Sequence, residues 1–145
     1  MGHIERVEAA MEELRLHPDR VIHQAYMGFA LHNCIGLEAM PAEQRQELLH
    51  TVALSCHNIL CPPLAVGAHA NDVYLLIQQN PNRSVDAIAQ AAGAALGTHE
   101  SGEPRWSGDY SAVSLGFEDA EELAPAFAAG DAPARKLFLG GEGQE

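Results

Sequence analysis

The sequence predicts a mainly α protein: a compact single-domain bundle of five to seven helices over residues 1–139, with a small irregular or β element near residues 104–117 and a flexible tail at 140–145. Three observations lead there. The chain is rich in alanine and its aromatic content is only 6%, a composition suited to helices that approach one another closely. Apolar residues recur at spacings of three and four in several segments. Helix-start signals stand at Asp19, Pro41 and Ser84. A chain of 145 residues can bury about 68–70% of its unfolded surface and needs neither disulfides nor metal to fold.

The elements follow in order. Ile4, Val7, Met11 and Leu14 line one face of a first helix over 4–16, which His17-Pro18-Asp19 ends. Residues 20–40 read as a second helix with the apolar line Ile22, Tyr26, Phe29, Asn33, Leu37, Met40. Another face of it carries small residues, Ala25, Gly28, Gly36 and Ala39, around His32. Glycine costs about 1 kcal/mol against alanine inside a helix, so Gly28 and Gly36 flanking His32 imply close approach of a second backbone, or of a planar ligand.

Pro41 opens a third helix that runs to about Leu60, with Leu49, Val52, Cys56 and Ile59 facing inward, and Pro62-Pro63 stops it. An apolar connector, 64–70, leads to Val73-Tyr74-Leu75-Leu76-Ile77. A run this short suits a buried strand or a buried helix equally; with Asn71 or Asp72 as a cap and no hairpin partner after it, helix over 71–79 is preferred. Asn80-Pro81-Asn82-Arg83 is a turn, and Ser84 caps a helix through Leu96. A Gly-, Ser- and Pro-rich stretch over 97–116 holds the only tryptophan, Trp106, and 111–117 alternates as a short strand does. Residues 118–128 read as helix interrupted by Pro125, and 134–139 add a turn.

Charge and cysteine usage bound the function. Twenty acidic against eight basic residues give a net charge of −12, which repels phosphate and disfavours nucleic acid as a partner while attracting basic ones. Three cysteines with no CxxC pair suit a reducing compartment. The N-terminus shows no apolar signal-peptide run, and no stretch reads as a membrane span, so a cytoplasmic location is expected. The 35 residues between Glu47 and Arg83 hold a single formal charge, Asp72. That apolar stretch and the small-residue face supply area for a homodimer.

The candidate sites are few. His57 and Cys61, four apart, fall about 40° apart around a helix and would both face one ion, zinc being the metal their chemistry suits. Their spacing matches no zinc signature, and core packing explains the cysteines as well. His32 between Gly28 and Gly36 is the candidate ligand-binding face. Glu118, Asp119, Glu121 and Glu122 form an acidic cluster, stabilised by the helix dipole and able to dock a basic partner. No nucleophile elbow or phosphate-binding loop is present, so no catalytic residues are assigned.

One linear likeness stands out. Residues 84–98, from Ser84-Val85-Asp86 through Gly93 to Gly97-Thr98, resemble the first helix and turn of the helix-turn-helix in TetR-type repressors. The next residues, His99-Glu100-Ser101-Gly102-Glu103-Pro104, are acidic and contain a breaker, so no recognition helix follows them. The segment therefore reads as a capped helix ending at Gly93 or Gly97. Together these readings favour a non-catalytic acidic protein-interaction domain, inhibitor, immunity or adaptor-like, that binds a basic protein. The alternative is a helical protein that binds a metal or small molecule through His and Cys.

Overall fold

The computed structural model describes residues 25–139. The chain forms strand β1 (Tyr26–Leu31), helix α1 (Ala42–Asn58), strands β2 (Pro63–His69) and β3 (Asp72–Gln78), helix α2 (Val85–Ala94), strand β4 (Tyr110–Leu115), helix α3 (Phe117–Ala129), a single-turn helix α4 (Ala132–Arg135) and a 3-10 turn (Lys136–Phe138). The strands make one antiparallel sheet in the order β2-β3-β1-β4. Helices α1 and α2 pack on one face and α3 with α4 on the other. The architecture is therefore an α/β sandwich, and the expected bundle of five to seven helices is wrong.

The strands alternate between two cores. Met27, Phe29 and Leu31 of β1, with Val73, Leu75 and Ile77 of β3, meet Leu49, Val52 and Cys56 of α1 and Ile88, Ala89 and Ala92 of α2. Tyr26 and Ala30, with Tyr74 and Leu76, meet Ala120, Phe127 and Ala134. Because β1 and β3 are central and covered on both sides, neither shows the polar alternation that marks a half-exposed strand. That is why 73–77 is strand where helix was expected. Its hairpin partner precedes it: β2 pairs back through the two-residue turn Ala70-Asn71, with His69 opposite Asp72.

The same burial accounts for 20–40. The strand Tyr26–Leu31 replaces the expected helix from its seventh residue on, and residues 35–39 form turns. Gly28, His32 and Gly36 are not one helical face. Gly28 lies in β1, where a Cβ would stand 2.7 Å from Cζ of Phe127, and Gly36 is in a turn at φ +77°. Close approach does explain Gly28, but the neighbour is an aromatic ring of α3.

Local signals held elsewhere. Helix α1 starts after Pro41 with Glu43 in its first turn, and Leu60 at φ +64° ends it before Pro62. Ser84 caps α2, its Oγ accepting from the Ala87 amide at 3.0 Å. Strand β4 falls where the short strand was expected, and α3 runs straight through Pro125 to Gly130 at φ +67°. After α2 the chain turns at Gly97, φ +71°, into a loop that reaches to β4, so no second helix completes a helix-turn-helix. The expected first helix and the 140–145 tail lie outside the described residues. Among those described, no helix is long and apolar enough to cross a membrane.

Candidate functional site

The polar groups of the sheet gather at one end of it. Extending the β1–β3 register past Leu31 and Val73 sets His32 opposite Asp72, which β2 in turn pairs with His69. Ser111 of β4 stands opposite Ala30. The two-residue period puts His32, Asp72, Tyr74 and Ser111 on the face covered by α3 and α4.

Asp72 organises the group. Its Oδ1 accepts the Asn33 amide at 3.1 Å, and its Oδ2 accepts the Tyr74 hydroxyl at 3.4 Å and lies 3.5 Å from His32 Nδ1. Asn33 holds φ +61°, a conformation asparagine tolerates, and its Nδ2 donates to Asp109 Oδ2 at 3.1 Å. The other ring nitrogen of His32, Nε2, is 2.9 Å from Ser111 Oγ. Burial, followed by the negative charge of Asp72, pushes the Tyr74 hydroxyl up to about 12, so Tyr74 is a neutral donor at physiological pH.

The junction after α3 forms the wall opposite. Gly130 fits here because a Cβ would strike the Ala68 carbonyl and press on His69. Arg135 donates from Nη1 to the Gly130 carbonyl at 2.8 Å, which fixes its guanidinium. A cavity of about 330 Å³ remains, lined by His32, His69, Asp72, Tyr74, Arg135 and Lys136. Phe138 is part of its wall and packs its ring 5.9 Å from that of Tyr74 and 6.1 Å from that of Phe127.

The charge distribution is polar along the sheet. The described residues hold five Arg and Lys side chains (Arg45, Arg83, Arg105, Arg135, Lys136), and two of these face the cavity. Arg105 is committed elsewhere: it donates to the carbonyls of Ile35, Leu96 and Thr98 and pins the loop before β4. The acidic cluster lies at the far end of α3. Its helix begins at Phe117, whose ring is 6.0 Å from that of Tyr26 at the start of β1, about 20 Å along the strand from His32.

The expected sites fare unevenly. Among them, His32 alone lines the cavity. Glu118, Asp119, Glu121 and Glu122 are exposed in the first turns of α3, where the dipole stabilises them. His57 and Cys61 do not share a face, because α1 ends at Asn58 and the positive φ at Leu60 turns Cys61 inward, buried, while His57 stays exposed. No group of three or more His, Cys, Asp and Glu that could hold a metal occurs among the described residues. Cys34 and Cys56 are packed thiols pushed up by burial to about 12 and about 11. The helical geometry that would have set His57 and Cys61 on one ion, and His32 between Gly28 and Gly36, is therefore not the one observed.

Sequence reasoning missed His69, Asp72, Tyr74, Ser111, Arg135 and Lys136 as a group. A signal for part of it existed. His69 and Asp72 flank Ala70-Asn71 between two apolar runs, the pattern of a tight hairpin with its polar ends on one face.

No protein-family model matches the sequence, and no curated protein matches it. The fold is similar to the crystal structure, at 1.90 Å resolution, of a protein from Deinococcus radiodurans R1 described as a "putative transposase". The TM-score is 0.53 at 10% sequence identity, over 75% of this chain and 95% of that one. The acidic interaction-domain reading, which rested on charge distribution and the lack of a catalytic constellation, is overturned by this likeness, which is to a protein described as a transposase.

Proposed function

We propose that this chain handles nucleic acid, taking the end of a single strand into the cleft between His32 and Arg135. One observation carries the reading. In a chain of net charge −12, Arg135, Lys136, His32 and His69 converge on one cavity, on a fold shared with a protein described as a transposase.

The chemistry of the cleft fits a phosphate-bearing strand. Arg135 and Lys136 offset phosphate charge, and histidines donate to phosphate oxygens. Phe138, supported from behind by Phe127, offers a ring to a base, and such stacking contributes about 1–3 kcal/mol per base. The net charge weighed against nucleic acid only as an average. The acidic first turns of α3 repel a strand from the far end of the sheet and leave the His32 end favoured.

Titrating a fluorescent single-stranded oligonucleotide at several salt concentrations tests this. Affinity should fall as salt rises, and Lys136→Ala should weaken binding and lower the slope of log K against log salt by about 0.7, one phosphate contact on a single strand. Arg135→Ala should weaken binding further, though it also frees the Gly130 carbonyl. A wild-type chain that binds no oligonucleotide at low salt overturns the reading.

A further inference from the structure

Strands β3 and β4 and the residue that follows β1 bring three side chains into one line. Ser111 Oγ from β4 lies 2.9 Å from His32 Nε2, and His32 Nδ1 lies 3.5 Å from Asp72 Oδ2 at the start of β3. A hydroxyl, an imidazole that can take its proton and a carboxylate that orients the imidazole make up the arrangement of an activated serine. Such arrangements are recognised by geometry and role, whatever the order in the chain, and their contacts are commonly long before substrate is bound.

The surroundings select one set of roles. Asp72 is held by the Asn33 amide on Oδ1 and the Tyr74 hydroxyl on Oδ2, with Oδ2 3.5 Å from Nδ1. A carboxylate there keeps the proton of a neutral imidazole on Nδ1 and leaves the Nε2 lone pair facing Ser111. The His32 backbone is tied by its amide to the Asp109 carbonyl at 2.8 Å. Burial does not demand the network, since His32 and Asp72 retain 23% and 29% side-chain exposure and Ser111 is half-buried. The 3-10 turn that carries Lys136 and Phe138 packs against β4, the strand that carries Ser111. Tyr74, the other hydroxyl present, keeps its proton and donates a hydrogen bond to Asp72.

We propose that Ser111 is a nucleophile with His32 as its general base and Asp72 as a positioning residue, and that it attacks the phosphorus of a phosphodiester held by Arg135 and Lys136. The substrate class rests on the nucleic-acid reading above; the relay does not. Attack forms the Ser111 Oγ–P bond and breaks the bond from phosphorus to the leaving ester oxygen. The Ser111 proton passes to His32 Nε2 and from there to the departing oxygen, which leaves as an alcohol. Water then adds to the phosphoserine diester, giving its proton to Nε2. The P–Oγ bond breaks, and Ser111 recovers the proton. The sum is phosphodiester plus water giving phosphomonoester plus alcohol, with no redox partner required.

A fluorophosphonate reporter tests the relay without nucleic acid, because an activated serine attacks its phosphorus with release of fluoride. Incubated with the full chain and followed by peptide mass mapping, it should label Ser111, and Ser111→Ala should abolish the label. His32→Gln, which keeps the hydroxyl, should slow labelling at least about a hundredfold, the usual contribution of a general base. Asp72→Asn should slow it too, and Asp72→Glu should restore part of the rate, a rescue that a merely structural role would not produce. Thermal melting of each variant reports whether it folds. A folded wild-type chain left unlabelled at Ser111, or labelled equally in His32→Gln, overturns the relay. In parallel, an end-labelled single strand should be cut by the wild type and not by Ser111→Ala. Labelling without oligonucleotide binding sinks the nucleic-acid reading and leaves the relay standing. Oligonucleotide binding with neither labelling nor cleavage sinks the relay alone.

Discussion

The benzo ring of Trp106 occupies the space into which a Cβ on Gly93 would project. The indole Nε1–H donates to the Asp109 carbonyl at 2.8 Å, so the ring is anchored from its other side and cannot swing clear. Gly93→Ala must therefore displace the indole or the helix. The expected loss is about 1–3 kcal/mol, the range for overpacking a core. Trp106 is the only tryptophan, so the change should also appear as a shift of its fluorescence emission in the folded state.

Gly67 and Gly28 support a graded prediction. A Cβ on Gly67 would meet the carbonyl oxygens of Phe127 and Ala128, which are backbone and cannot rotate away. A Cβ on Gly28 would meet the tip of the Phe127 ring, 2.7 Å away. Gly67→Ala should cost at least about 3 kcal/mol and Gly28→Ala nearer 1–2 kcal/mol, read from guanidinium denaturation midpoints. Equal losses would show that the ring yields no more easily than the backbone.

Ser84 closes α2 by accepting from the Ala87 amide. Ser84→Ala should lower stability by about 1 kcal/mol, and Ser84→Gly by only a few tenths. Thermal melts of the two variants side by side check this order.

The buried thiols predict an alkaline limit. Burial holds Cys34 at about 12 and Cys56 at about 11, against 9.0 for a free thiol. Below the free-thiol value both groups are protonated in the folded and unfolded chains alike. Above it the unfolded thiols ionise while the folded ones keep their protons, so folding stability should fall as pH rises from about 9 towards 12. At pH 8 a disulfide reagent should react with Cys34 and Cys56 only after unfolding. Fast reaction in the folded chain would contradict their burial.

How much was legible depended on whether a residue is governed by near neighbours. The start of α1 after Pro41, its end before Pro62, the Ser84 cap and the strand near Ser111 all follow from groups within a few positions. Residues 26–31 and 73–77 were misread because they are central strands covered on both faces, which removes the alternation that identifies a strand. Gly28 and His32, expected on one helical face, instead share a face of the sheet, because a spacing of four is cofacial in a helix and also along a strand. Gly36 breaks the pattern because the chain has left the strand by then. His57 and Cys61 failed for the same kind of reason, a helix ending between them.

By itself the sequence determined the caps, the breakers, the −12 charge and the concentration of acid near residues 118–122, because these depend on composition or on hydrogen bonds between near neighbours. Only the tertiary structure decided that the long uncharged segment is a helix and a hairpin rather than two helices, and that His32 meets Asp72 and Ser111, the latter 79 positions away. Those outcomes rest on which strand is covered on both sides and which strand it pairs with. Burial of that kind is a property of the assembled layers, and no window of near neighbours contains it.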